Sequence, residues 1–182
     1  MNLLQEYQRL LHKNNDLSIN YDPYHDLYTV KYVHAGVDWN NYLYRIARGL
    51  VLDKYGNIVV HPYDKFFNLG QLQSDIYSNL DDSIRDLSKW DPNKKIINIS
   101  EKIDGTLVTL KEYNQHILVS TTGNTNPDTQ MVARITAFLN DNPNIIKTIL
   151  KNVSGEYIFE FYDPDNMYAY SYGDKPKLFL IS

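Results

Sequence analysis

The stretch Glu101-Lys102-Ile103-Asp104-Gly105 holds the residue types whose spacing best suits covalent chemistry. A lysine amine is a poor nucleophile at neutral pH, because its reference pKa is about 10.4 and the ammonium has no lone pair. Burial or neighbouring cations favour the neutral amine and so make a nucleophile of it. Lys102 sits at the end of the apolar run Ile96-Ile97-Asn98-Ile99, so a strand entering the turn would present it into a cleft. Asp104 is spaced to orient the amine. Gly105 allows a tight turn and a close backbone approach to a phosphate. The plain alternative is a surface turn, since Asp-Gly is a favoured hairpin pair. A Lys-x-Asp-Gly match arises by chance in roughly one chain of this size in twenty at average residue usage.

Three further landmarks surround this turn. Arg48-Gly49 lies upstream, Lys65-Phe66-Phe67-Asn68 follows it, and Glu160 lies downstream between Phe159 and Phe161. Each has an ordinary reading alone. Arg48 suits an edge-strand cation in a surface ion pair. One of Phe66 and Phe67 is expected in the core, because adjacent strand residues face opposite sides. Glu160 suits a solvent-facing strand position. Taken in order and spacing, however, the four resemble the T-even phage RNA ligase 1 family of covalent nucleotidyltransferases. The matching stretches are Ala47-Arg48-Gly49-Leu50-Val51-Leu52, Lys65-Phe66-Phe67-Asn68, Glu101-Lys102-Ile103-Asp104-Gly105-Thr106-Leu107-Val108, and Phe159-Glu160-Phe161 followed by Asp163-Pro164-Asp165-Asn166. They run from about residue 40 to the C-terminus.

The resemblance implies an ATP-dependent RNA ligase with a nucleotidyltransferase (ATP-grasp-like ligase) fold. Lys102 would attack the α-phosphorus of ATP, expel pyrophosphate and hold AMP through a phosphoramidate bond, with Asp104 beside it. AMP would pass to an RNA 5′-phosphate, and a 3′-hydroxyl would displace it to seal the strands. Arg48 and Lys65 would neutralise the ATP phosphates. Glu160 would accept hydrogen bonds from the ribose hydroxyls, and Glu101 from the adenine amino group, favouring ATP over GTP. Phe67 and Gly105 would help form the nucleotide pocket. Magnesium would arrive with ATP and offset charge on its phosphates; no metal-binding residue is assigned. The implied partners are RNA ends, and the implied location is cytoplasmic, in a virus- or phage-encoded setting.

The chain also departs from the family pattern. The family carries, after the Phe-Glu-Phe strand, a metal-binding Glu and a Lys-x-Lys-type pair at the ATP α-phosphate. The chain reaches Ser182 before either. Lys175 and Lys177 come too soon after Glu160 to be that pair and read as a turn. Thr122 stands near where family ligases carry another basic residue. Residues 1–182 are therefore expected to form a single adenylyltransferase domain, incomplete at its C-terminus. Phosphoryl transfer relies on positioning and charge neutralisation, so these losses would slow adenylylation. Three readings stay open: a fragment or split enzyme completed by a second polypeptide, a shortened ligase, or a degenerate domain that binds nucleotide or RNA without full catalysis.

The elements that must position these residues follow from periodicity. Leu3, Leu4, Tyr7, Leu10 and Leu11 have helical spacing within residues 1–13. Tyr28 to Val33 reads as a strand. Residues 47–53 and 58–60 read as a hairpin around Lys54-Tyr55-Gly56-Asn57. Residues 73–90 have helical spacing, with Pro92 beyond. Lys95 to Glu101 reads as a strand, and Thr106 to Leu110 with His116 to Ser120 as a second hairpin. Helices are predicted over 128–140 and 143–152, and strands over Tyr157 to Tyr162 and Leu178 to Ile181. Strands pairing mostly through hairpins imply an α+β chain with antiparallel sheets flanked by helices.

Composition narrows the function classes. The 182 residues are 43% hydrophobic and 22% charged, ordinary for one globular domain. No cysteine is present, which excludes disulfides, cysteine–zinc sites and a thiol nucleophile. Gln5, Glu6, Arg9 and Lys13 interrupt the N-terminal apolar residues, leaving no signal-peptide core, and no apolar run approaches membrane-spanning length. The net charge of −4 gives no overall basic footprint, so RNA contact must use a local cluster. Asp163 and Asp165 are weak cation candidates that read better as a turn. The five histidines lack metal-ligand spacing. The 16 tyrosines are scattered and read as packing.

Overall fold

The helical spacing of the first residues is realised as α1 (Leu3–Lys13), in a computed structural model that describes residues 1–13, 15–66, 101–151, 155–166 and 168–182. Asn2 and Gln5 close its N-terminus reciprocally. The Gln5 N–H donates to Asn2 Oδ1 at 2.9 Å, and the Asn2 N–H donates to Gln5 Oε1 at 3.0 Å. This satisfies donors that the first helical turn otherwise leaves unpaired. The apolar stripe of α1 covers one face of a four-stranded sheet, where Leu4 and Tyr7 are buried with Leu17, Val30, Tyr44, Leu50 and Leu52. Tyr7 buries its ring fully yet donates its hydroxyl to the Leu43 carbonyl at 2.8 Å, so no polar atom is stranded.

That first sheet has the order β1 (Leu17–Asp22), β2 (Leu27–Tyr32), β3 (Arg48–Asp53), β4 (Ile58–Val60), each neighbour antiparallel. A short helix, α2 (Tyr42–Ile46), precedes β3 and is capped by Asn41, whose side chain accepts from the Leu43 N–H. In β3, Leu50 and Leu52 face the α1 side, while Val51 joins Leu27, Val59, Val60 and Leu118 in a separate cluster. Both faces of β3 are covered, which is why its sequence is apolar at consecutive positions.

The second sheet has the order β6 (His116–Thr121), β5 (Thr106–Tyr113), β7 (Glu156–Tyr162), β8 (Lys177–Leu180), again antiparallel. Asn114 and Gln115 join β5 to β6 with φ of 52° and 66°, the two-residue turn whose twist matches paired strands. Helices α3 (Gln130–Asp141) and α4 (Pro143–Lys151) cover one face, burying Val132, Ile135, Leu139 and Ile149 against Val108, Leu110, Phe159 and Phe161. Alternation turns Leu107, Lys111, Leu118 and Glu160 to the opposite face. The two sheets meet there. Leu118 packs among first-sheet residues, and Lys111 donates to both the Val59 carbonyl (2.6 Å) and Glu156 (2.8 Å). Asp22, fully buried, accepts from Thr125 Oγ1 at 2.8 Å across the same seam.

The chain is thus α+β, with two antiparallel sheets flanked by helices, as its periodicity implies. The strand predicted at Tyr28 to Val33 lies at Leu27–Tyr32, and the helix predicted over 128–140 lies at Gln130–Asp141. Two elements had no sequence expectation. β1 (Leu-Ser-Ile-Asn-Tyr-Asp) is half polar, and α2 is too short to show a period. The predicted helix over 73–90, most of the strand from Lys95, and Phe67 lie outside the described residues.

Candidate active site

Close packing at Gly105 fixes where the lysine turn sits. β5 begins one residue later, with Thr106 opposite Phe161 and Leu107 opposite Glu160 on β7. A Cβ at Gly105 would lie 2.6 Å from the Phe161 carbonyl oxygen and 2.9 Å from Glu160 Cγ. Only glycine lets the turn lie this close to β7. Glu160 is thereby half-buried beside the turn. Burial pushes its carboxyl pKa up; the Lys102 ammonium, a Gly105 backbone hydrogen bond and the Arg48 guanidinium partly oppose the shift, and Asp104 adds to it. Groups from residues 48, 102, 104, 105 and 160 therefore act on one point.

Arg48 reaches that point because the sheets approach each other closely. Gly49 has φ +87°, and a Cβ there would meet Thr122 Cα at 2.8 Å. β3 therefore lies directly against the loop that follows β6. The Arg48 guanidinium lies 4.2 Å from the Phe66 ring centroid, in cation–π contact. Among the described residues its buried Nη1 has no hydrogen-bond partner. Lys65 is held by its N–H, which donates to the Arg45 carbonyl at 2.7 Å, and its ammonium lies 5.6 Å from the Trp39 ring centroid. Burial, then the Arg48 charge, lowers the Lys65 pKa. Arg48, with a buried donor that has no partner among the described residues, and the nearby Lys65 charge form a place where an anion would be stabilised.

Lys102 is not a buried amine in this structure. Its side chain is 86% exposed, and Nζ donates to Asp104 Oδ1 at 2.6 Å. That bond raises the lysine pKa, so this geometry favours the ammonium. Lys102 lines a cleft of about 520 Å³ together with Glu101, Asp104, Tyr170, Ser171 and Tyr172. The Asp104 N–H donates to Tyr172 Oη at 3.0 Å. Sequence reading set the tyrosines aside as packing. With 16 of them scattered along the chain, no spacing distinguishes the pair beside Lys102.

Of the sequence candidates, Arg48, Lys65, Lys102, Asp104, Gly105 and Glu160 are connected through these contacts and charges, and Glu101 lines the same cleft. Phe67 lies outside the described residues. Its neighbour Phe66 is 57% exposed and belongs to no strand, so Phe66 is not the core member of the pair; the expectation that one of the two is core rests on Phe67, outside the described residues. Asp163 and Asp165 are engaged by Arg134, which bonds the first through Nε at 2.5 Å and Nη2 at 2.8 Å, and the second through Nη2 at 2.5 Å. They brace the turn after β7 against α3. Among the described residues no three His, Asp or Glu side chains are grouped to hold a metal ion, and no helix is long and apolar enough to cross a membrane.

A protein-family model described as RNA ligase matches residues 46–182, which include every described candidate residue. A search of curated proteins finds no match.

Proposed function

The chain belongs to the RNA ligase family, and from that membership we propose that it is an adenylyltransferase domain of nucleotidyltransferase fold that carries AMP covalently on Lys102. The observation that carries this reading is the arrangement at the sheet junction. A lysine turn packs against Glu160, while Arg48, beside Lys65, keeps a buried donor without a partner among the described residues. A triphosphate suits that pair of cations, because its charge would restore a partner to Arg48 and favour the Lys65 ammonium.

In the proposed reaction Lys102 first loses a proton to solvent, since its ion pair with Asp104 holds the ammonium form. The neutral Nζ then attacks the α-phosphorus of ATP. An N–P bond forms, the bond to the β-phosphate bridging oxygen breaks, pyrophosphate leaves with that electron pair, and the nitrogen sheds its second proton to solvent to leave the phosphoramidate. Arg48 and Lys65 balance the charge that develops on the phosphate oxygens. Glu160 accepts from the ribose hydroxyls, Glu101 from the adenine amino group, and Phe67 contributes to the pocket. An RNA 5′-phosphate then takes the AMP, and a 3′-hydroxyl displaces AMP to join the strands. Magnesium would accompany ATP as its counter-ion; the described residues offer it no grouped ligands, and no step is assigned to it. No second polypeptide is part of the proposal.

A second reading is a domain that binds nucleotide or RNA without turnover. The exposed, ion-paired Lys102 ammonium favours it. One experiment decides between them. The protein is incubated with magnesium and α-labelled ATP, and the label retained after denaturation is measured. The ligase reading expects label that Lys102→Ala abolishes and that GTP does not supply. Absence of label at high protein concentration would sink self-adenylylation and leave the binding reading.

A further inference from the structure

We propose that Tyr172 is a positioning residue for Lys102, acting through a hydroxyl that holds the Asp104 backbone in place. The proposal rests on the lysyl-AMP reading of the same site. Residues 101–104 belong to no helix or strand, so no ladder of backbone bonds fixes them. Among the described residues, Gly105 holds the turn through its close approach to β7 and a backbone hydrogen bond with Glu160, and Asp104 through the 3.0 Å bond from its N–H to Tyr172 Oη. Gly105 alone would leave the turn free to pivot, and the bond to Tyr172 removes that freedom.

The hydroxyl is itself well anchored. The Tyr172 ring packs edgewise against Tyr162 of β7 (centroids 5.1 Å apart) and at a tilt of 61° against Phe179 of β8 (5.3 Å). Lys177 donates its ammonium to the Tyr172 carbonyl. Tyr162 Oη donates to the Gly173 carbonyl at 3.0 Å. The second sheet therefore fixes Tyr172, Tyr172 fixes Asp104, and Asp104 orients Lys102 through the 2.6 Å bond to Nζ. The Lys102 side chain is long and exposed, with much rotamer freedom to lose, so its direction depends on that relay. Near-attack geometry is sensitive on this scale, since a displacement of about 1 Å can cost a reaction roughly 100-fold.

Tyr172→Phe tests the relay, because it keeps the ring packing and removes only the acceptor. Single-turnover labelling with α-labelled ATP, across ATP concentration and pH, should show a maximal rate lower by about tenfold with half-saturating ATP changed less than about twofold. A second measurement does not depend on activity. Titration of the Lys102 Cε resonance by NMR, assigned with Lys102→Arg, should show the raised pKa moving down toward its ordinary value as the Asp104 pair loosens. The Asp104 amide should exchange with solvent faster. An Asp104 amide that exchanges no faster overturns the proposal whatever the Lys102 titration shows, because Tyr172 also raises the Lys102 pKa directly and its loss alone would lower it. A rate loss confined to weaker ATP binding also overturns it, because Tyr172 would then act on the nucleotide. If the unaltered protein takes no label, the lysyl-AMP reading fails, and the NMR measurements alone decide whether Tyr172 positions Lys102.

Discussion

Replacing Gly105 with alanine adds one methyl group where the second sheet leaves no room. The new Cβ would lie 2.6 Å from the Phe161 carbonyl oxygen, about 0.8 Å short of the 3.4 Å at which such contacts become ordinary. The obstacle is backbone of a central strand, paired on one side with β5 and on the other with β8, so it cannot swing aside as a side chain would. The lysine turn must move instead, by most of that 0.8 Å. Two consequences follow. Overpacking of this kind costs about 1–3 kcal/mol of stability. A displacement approaching 1 Å lowers the rate of lysyl-AMP formation by roughly 100-fold. Urea denaturation measures the first and single-turnover labelling with α-labelled ATP the second. A Gly105→Ala protein as stable as the original, labelling within about threefold of its rate, would refute the argument that this close approach sets the site. The stability measurement stands alone if the protein takes no label.

Three further outcomes follow from the same geometry. Glu160→Gln should raise thermal stability at neutral pH: with its folded pKa above the unfolded value, the carboxyl contributes stability below the unfolded pKa and loses it as pH rises through the folded one. Melting curves of the two proteins should therefore converge in acid and separate toward neutrality, while nucleotide binding by the variant weakens. Asp104→Asn should bring the Lys102 pKa down toward its ordinary value, because the bond that raises it is removed; NMR titration of Lys102 reads this directly. Asp163→Ala should destabilise the protein by about 2 kcal/mol in urea. It strips a fully buried carboxylate from Arg134, whose side chain, 35% exposed, reaches water and limits the loss.

The elements with strong periodicity were legible from sequence because their burial is local. α1 shows its buried stripe, and β3 and β7 show their runs, since each alternation or 3.6-residue repeat records which face meets the core. β1 and α2 were not legible. β1 is half polar because one of its buried positions is Asp22, whose partner Thr125 is remote in sequence, and α2 spans barely more than one turn. The candidate residues followed the same division. Lys102, Asp104 and Gly105 could be nominated from type and spacing, and Arg48, Lys65 and Glu160 through the family resemblance that the ordered stretches carry.

Sequence alone determined the α+β pattern, the nominated side chains and the family resemblance. Only the tertiary structure decided that Gly105 lies against β7, that Gly49 lets β3 meet the loop at Thr122, and that Arg48, near Glu160, has a buried donor with no partner among the described residues. It alone linked Tyr172 to Asp104 and showed Lys102 as an exposed ion pair. The physical reason is that close approach and protonation depend on distances between residues far apart in the chain. A sequence records the residue types that permit such contacts but not the distances.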